Sequence, residues 1–134
     1  MVVVLESRDR PARQARRQLT GQLERLGLFP AADCAARRRA DDAILVASEL
    51  VTNACRHTSG PIRLTSHWHP KTHRFTVSVT DPSTEMPRPA APTARGAAGG
   101  YGLPLIENLA DRWAATRCRD DSGKIVSATV MFPV

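Results

Sequence analysis

Residues 33–58 constrain the fold more than any other stretch of the chain. Asp33 is an N-cap candidate, Ser59-Gly60-Pro61 closes the segment, and no proline or glycine interrupts it, so the stretch predicts one long helix. Ile44, Leu45, Leu50, Val51 and Ala54 supply its buried faces. Glu49, Asn53 and His57 recur every four residues and therefore stack along one narrow stripe. A carboxylate and a carboxamide one turn apart suit a hard cation or a proton transfer better than they suit a core. A solvated stripe on an amphipathic helix is the plain alternative, and two motifs further along the chain weigh against it.

On either side of this helix the pattern changes. Ala12, Ala15, Leu19, Leu23 and Leu26 recur at threes and fours, which predicts a helix from Pro11 to about Leu26, stopped by Gly27 and Pro30. After Pro61 the period drops to two. Ile62, Leu64, Ser66 and Trp68 alternate with Arg63, Thr65 and His67, and Phe75, Val77 and Val79 return after a turn at His69-Pro70-Lys71-Thr72. The hairpin ends at Asp81-Pro82, because proline cannot continue the ladder. Pro82, Pro87, Pro89, Pro92, Gly96, Gly99 and Gly100 crowd residues 82–100, which read as a long functional loop. A short helix from Gly102 to Ala110 and two strands, Arg112–Arg119 and Lys124–Phe132, complete the chain around the turn Asp120-Asp121-Ser122-Gly123. Helices laid on one face of antiparallel hairpins make a two-layer α+β sandwich with a mainly antiparallel sheet.

The chain's 134 residues suffice for a single domain, 1–134, with a true core. Met1–Leu5 is apolar but too short for a signal sequence, and no apolar run nears the roughly 20 residues that cross a bilayer, so the expected location is cytoplasmic. Cys34, Cys55 and Cys118 lack zinc or dithiol spacing and read as free thiols. The net charge of +6 raises the question of nucleic acid. Arginine accounts for all but two of the 19 basic residues, clustering at Arg8–Arg17 and Arg37–Arg39 as a solvated face, an acidic-partner patch or a phosphate strip. With aromatics at 4%, base-stacking platforms are scarce, so nucleic-acid binding is the minor reading.

Two further motifs join the helical stripe. Asp81, at a strand end, could accept a hydrogen bond from an exocyclic amine. Gly99-Gly100-Tyr101-Gly102 runs into a helix start, where backbone N–H groups and the helix dipole favour an anion. Each signal alone is weak; their order and spacing carry the weight.

In that order the chain resembles the GHKL superfamily of ATPases and kinases, which share the Bergerat (histidine kinase-like ATPase) fold, and within it the bacterial anti-sigma factor serine/threonine kinases. Glu49-Leu50-Val51-Thr52-Asn53-Ala54-Cys55-Arg56-His57 resembles their N box. Asp81-Pro82-Ser83 stands where the first glycine box begins, Gly100-Tyr101-Gly102-Leu103-Pro104-Leu105-Ile106 is similar to the second, and Gly123-Lys124 to Phe132-Pro133 resembles the closing strand. The resemblance implies ATP and Mg²⁺ as cofactors. It implies Asn53 as the magnesium ligand, Glu49 as general base toward a serine hydroxyl or water, and Asp81 as acceptor from the adenine amine. Gly100, Gly102 and Leu103 would lie at the phosphates, beneath a lid spanning about 84–99, and His57 would orient Asn53 or touch phosphate unless it is simply structural. The implied partners are a sigma factor and an anti-anti-sigma (STAS-type) protein phosphorylated on serine, with a homodimer formed through the N-terminal helix and first-strand region. The chain departs from the family pattern in two places: Pro82-Ser83-Thr84-Glu85 replace the glycines that usually follow the Asp, and Ile125 stands where the closing strand usually carries a Thr near the base.

Two rival functions are a regulatory module of the same fold that holds nucleotide and partner with little catalysis, and a basic nucleic-acid-binding protein. His67, His69 and His73 share a hairpin but lack an accompanying carboxylate or Cys at ligand spacing, so they read as strand-surface residues, not a metal site. Trp68 and Trp113 read as core or sheet-face anchors, and Arg88 and Arg95 as solvated lid charges that could also reach a γ-phosphate.

Overall fold

The computed structural model describes residues 1–5, 9–58, 60–86 and 102–133, and the side chains of these except at 57, 102 and 103. In chain order the elements are β1 (Val2–Leu5), α1 (Pro11–Arg25), α2 (Cys34–His57), β2 (Ile62–His69), β3 (Arg74–Asp81), α3 (Gly102–Leu109), β4 (Arg112–Arg117) and β5 (Lys124–Met131). The strands form one antiparallel sheet in the order β1-β2-β3-β5-β4. This is the expected α+β sandwich.

The helix boundaries follow local chemistry. Asp33 caps α2, its Oδ2 accepting from the Ala36 N–H at 2.9 Å, and Thr58 ends the helix in an extended conformation. Pro11 opens α1, where its missing N–H costs nothing, and Gly27, at φ 75, follows the last turn. One strand escaped the sequence pattern. Val2–Leu5 pairs with β2 in the register Val2↔Thr65 to Leu5↔Ile62, and the Met1 ammonium donates to the Ser66 carbonyl at 2.8 Å.

The core lies between the sheet and the helices. Phe75, Val77 and Val79 of β3 face it with Ile62 and Leu64 of β2 and Val126, Ala128 and Val130 of β5. Leu19 and Leu23 of α1, Val46, Leu50 and Val51 of α2, and Ile106 of α3 close it from the helical side. Each of these Val, Leu, Ile and Phe side chains contributes about 1.5–3 kcal/mol through burial. Ser66, read as part of the apolar face, is buried there with its hydroxyl donating to Gln22 Oε1. Trp68 packs edge-to-face on Phe132 at 5.5 Å, and Trp113 packs against the core, as anchors should.

The Arg37–Arg39 run is no uniform solvated strip. Arg39 donates to the carbonyls of Met131 and Leu109 and pairs with Asp42 and Asp111, so it ties α2 to the end of α3 and to β5. Arg37 bonds the Ala31 carbonyl at the entry to α2.

Candidate nucleotide site

The stripe on α2 lies at the edge of the helix–sheet interface. Leu50, Val51 and Ala54 are buried, whereas Glu49 and Asn53 are half-buried, one turn apart. Asn53 Oδ1 accepts a long hydrogen bond from Arg56 Nη1 at 3.4 Å, and the Glu49 carboxylate takes none from a described residue. A half-buried carboxylate without an internal partner retains its acceptor capacity for a ligand or a proton.

Chain connectivity brings Asp81 to the same end of the molecule. The pairing Arg63↔Thr80 sets Asp81 beside the start of β2, which begins a few residues after α2 ends. The contact is close: a Cβ on Gly60 would lie 2.8 Å from Pro82 Cγ. Asp81 follows Phe75, Val77 and Val79 in strand alternation, so its carboxylate points toward the helices.

That carboxylate is 3% exposed at the residue level and unevenly satisfied. Oδ1 accepts from the Ser83 N–H at 2.8 Å, an Asx turn that fixes the chain just after the strand. The Ser83 hydroxyl in turn accepts from the Glu85 N–H at 3.1 Å. Oδ1 also receives the ammonium of Lys124 at 3.1 Å. Oδ2 is buried and, among the described residues, has no hydrogen-bond partner. Buried polar atoms are rarely left unpaired, and this oxygen has the capacity to accept one more donor.

Lys124 was not among the residues singled out from the sequence, which instead put Ile125 at the position near the base. The structure corrects this. Ile125 points to the outer face and is 38% exposed, while Lys124, one residue earlier, shares the helix-facing side with Val126 and Ala128. Gly123 makes the approach possible: its φ is 155, and a Cβ there would stand 2.0 Å from the Asp81 carbonyl oxygen. A Gly-Lys step entering a strand whose register partner is an Asp was the available signal, but the register is not written locally.

The second glycine motif is placed only in part. Gly102 opens α3, which packs against α2, so a helix start does follow the glycines. Gly100, the Leu103 and His57 side chains, and most of the expected lid, residues 87–99, lie outside the described residues. His67 and His69 meet edge-to-face at 4.3 Å, and His73 Nδ1 lies 3.2 Å from the Pro133 carbonyl oxygen.

Sequence and structure comparisons agree with this fold. The profile of the histidine kinase-like ATPase domain family matches residues 5–130. The chain belongs to that family. Among solved structures it is similar to a chain of the SiaB-SiaC complex from Pseudomonas aeruginosa, at 14% identity and TM-score 0.62, covering 97% of this chain and 88% of that one. It is also similar to the histidine kinase domain of the blue-light activated histidine kinase EL346 from Erythrobacter litoralis, at 19% identity and TM-score 0.53, covering 91% of this chain and 61% of the other. No curated protein sequence matches the chain. No helix among the described residues is long and apolar enough to cross a membrane.

Proposed function

We propose that this chain binds ATP with Mg²⁺ and acts as an anti-sigma-type serine kinase on a partner protein. The observation that carries the reading is Asp81 Oδ2, a buried carboxylate oxygen without a partner among the described residues, at the sheet end reached by the Glu49/Asn53 helix. Family membership adds the expectation of a nucleotide.

The residues present fit such a ligand. Asp81 Oδ2 would accept from the adenine amine, while Oδ1 is held in place by Ser83 and Lys124. Asn53 would offer its side-chain carbonyl to the metal, with Arg56 steadying the amide through its present contact. Mg·ATP would supply a transferable γ-phosphoryl group whose charge the metal neutralises. Glu49 would take the proton from the attacking serine hydroxyl, a task suited to a half-buried carboxylate not engaged by the described residues. Gly102 and the start of α3 would face the phosphates, where helical N–H groups favour negative charge.

The fold is shared with a chain solved in the SiaB-SiaC complex, in keeping with a partner-binding regulatory role. A sigma factor and a STAS-type anti-anti-sigma substrate in the cytoplasm, with dimerisation through the N-terminal helix and first strand, complete the proposal.

The test is calorimetric titration of Mg·ATP into wild type and Asn53→Ala, each with and without Mg²⁺. Binding that requires both Asn53 and the metal is the expected result. No binding under any condition would overturn the nucleotide reading and leave a partner-binding module of the same fold.

A further inference from the structure

The buried layer beneath α2 holds a second charged group to which the nucleotide reading assigns no contact with the ligand. Lys124 and Asp81 are each 1% exposed at the side chain and stand directly opposite one another in the β3–β5 register. Among the described residues the Lys124 ammonium has one hydrogen-bond partner, Asp81 Oδ1, although it carries three N–H donors. On the other side of the pair, Asp81 Oδ2 has none. A fully internal ion pair is stable only when its remaining donors and acceptors are met, and among the described residues this one leaves both partners short. What is missing is a neighbouring donor and acceptor: a donor for Oδ2 and an acceptor for Nζ, side by side.

We propose that Lys124 is a base-reading residue, which donates a hydrogen bond to the ring nitrogen N1 of a 6-aminopurine while Asp81 Oδ2 accepts from its exocyclic amine. This rests on the nucleotide reading above and adds to it a second, charged contact on the base. The 6-aminopurine edge presents an N–H donor and the N1 acceptor on adjacent atoms, which is the couple that the pair lacks. Lys124 reaches this place because Gly123 admits the Asp81 backbone so closely that β5 enters the sheet directly beside the carboxylate. Thr or Ile at position 124 would carry no charge to complement Asp81, so the lysine also serves to hold Oδ1 when the pocket is empty of base.

The experiment compares ATP with 1-deaza-ATP, in which N1 is replaced by C–H and the 6-amino group is kept. Affinities are measured by calorimetry in Mg²⁺ for wild type and for Lys124→Met, with circular dichroism to establish that the variant is folded. Loss of a hydrogen bond from a charged donor predicts that wild type binds the deaza analogue about ten- to a hundredfold more weakly. In Lys124→Met the two nucleotides should bind alike. Equal binding of both nucleotides by wild type would overturn the proposal while leaving ATP binding intact, and needs no variant to be folded. A penalty that persists undiminished in Lys124→Met would also overturn it, because another group would then be reading N1. Failure of wild type to bind either nucleotide would overturn the nucleotide reading and this proposal together.

Discussion

Lys124 on β5 and Asp81 on β3 are register partners whose side chains meet at 3.1 Å in the buried layer of the molecule, 43 residues apart in sequence. The pair joins the two strands that carry the centre of the sheet, and it sets one oxygen of Asp81 while leaving the other unfilled. In the proposed reading, stability and ligand recognition therefore meet in the same two side chains.

Breaking this pair on one side should be costly. Asp81→Leu leaves a buried ammonium and Lys124→Met a buried carboxylate, and each should lose about 3–5 kcal/mol of folding stability. The double variant Asp81→Leu/Lys124→Met should lose less than either single one, since no uncompensated charge remains. Urea denaturation of the four proteins measures this; strictly additive losses would contradict it.

Glu49 and Asn53 should fail in different ways. Glu49→Gln is expected to keep nucleotide affinity within a few-fold while slowing phosphoryl transfer or hydrolysis by about 10²–10⁴-fold. Asn53→Ala should weaken Mg²⁺-dependent binding itself. Radiolabelled transfer to a partner, or release of inorganic phosphate, read beside calorimetry separates the two, and undiminished turnover by Glu49→Gln would remove Glu49 from the role of base.

Gly123→Ala is a backbone test. At φ 155 and with 2.0 Å between a new Cβ and the Asp81 carbonyl oxygen, something must move, at a cost of at least about 1–3 kcal/mol. The midpoint of urea unfolding should fall accordingly. Gly27→Ala is a useful control, because Gly27 also has a positive φ but no atom near its missing Cβ; it should cost less.

Asp120 gives the chain a small acid-side dependence. The side-chain hydrogen bond with Ser122 first, and the backbone one from the same residue second, hold its carboxyl below the ordinary value of 3.8. A carboxyl depressed in the folded state adds stability that is present above the unfolded pKa and is lost as pH falls through the folded one. The window is therefore below about pH 4. Carboxyl NMR titration should place Asp120 under a model peptide, and Ser122→Ala should move it upward.

The structure also divides what could be read locally from what could not. Asp33 caps α2 through Ala36, three residues away, and Ser59-Gly60-Pro61 marks where that helix has ended, so both boundaries were legible. The same holds for the β2–β3 hairpin, whose alternation survives as buried Ile62, Leu64, Phe75, Val77 and Val79. In contrast, Val2–Leu5 has no alternation of its own. It becomes a strand because β2, some 60 residues further on, offers it an edge. Arg39 likewise looked like one charge of a surface run, and only packing reveals that it caps the carbonyls of Leu109 and Met131.

By itself the amino-acid sequence determined the elements whose causes lie within a turn or two of chain: the capped helix with its Glu49/Asn53 stripe, the hairpins, the strand-ending Asp81, and from these the family. Only the tertiary structure decided that β5 rather than β4 lies beside β3, and with it that Lys124 and not Ile125 faces Asp81. Helical spacing and capping act between residues a few positions apart, so they leave a periodic trace in the sequence. Strand register is settled by the joint burial of two distant faces, and a slip of one residue along β5 would have exchanged the lysine for the isoleucine.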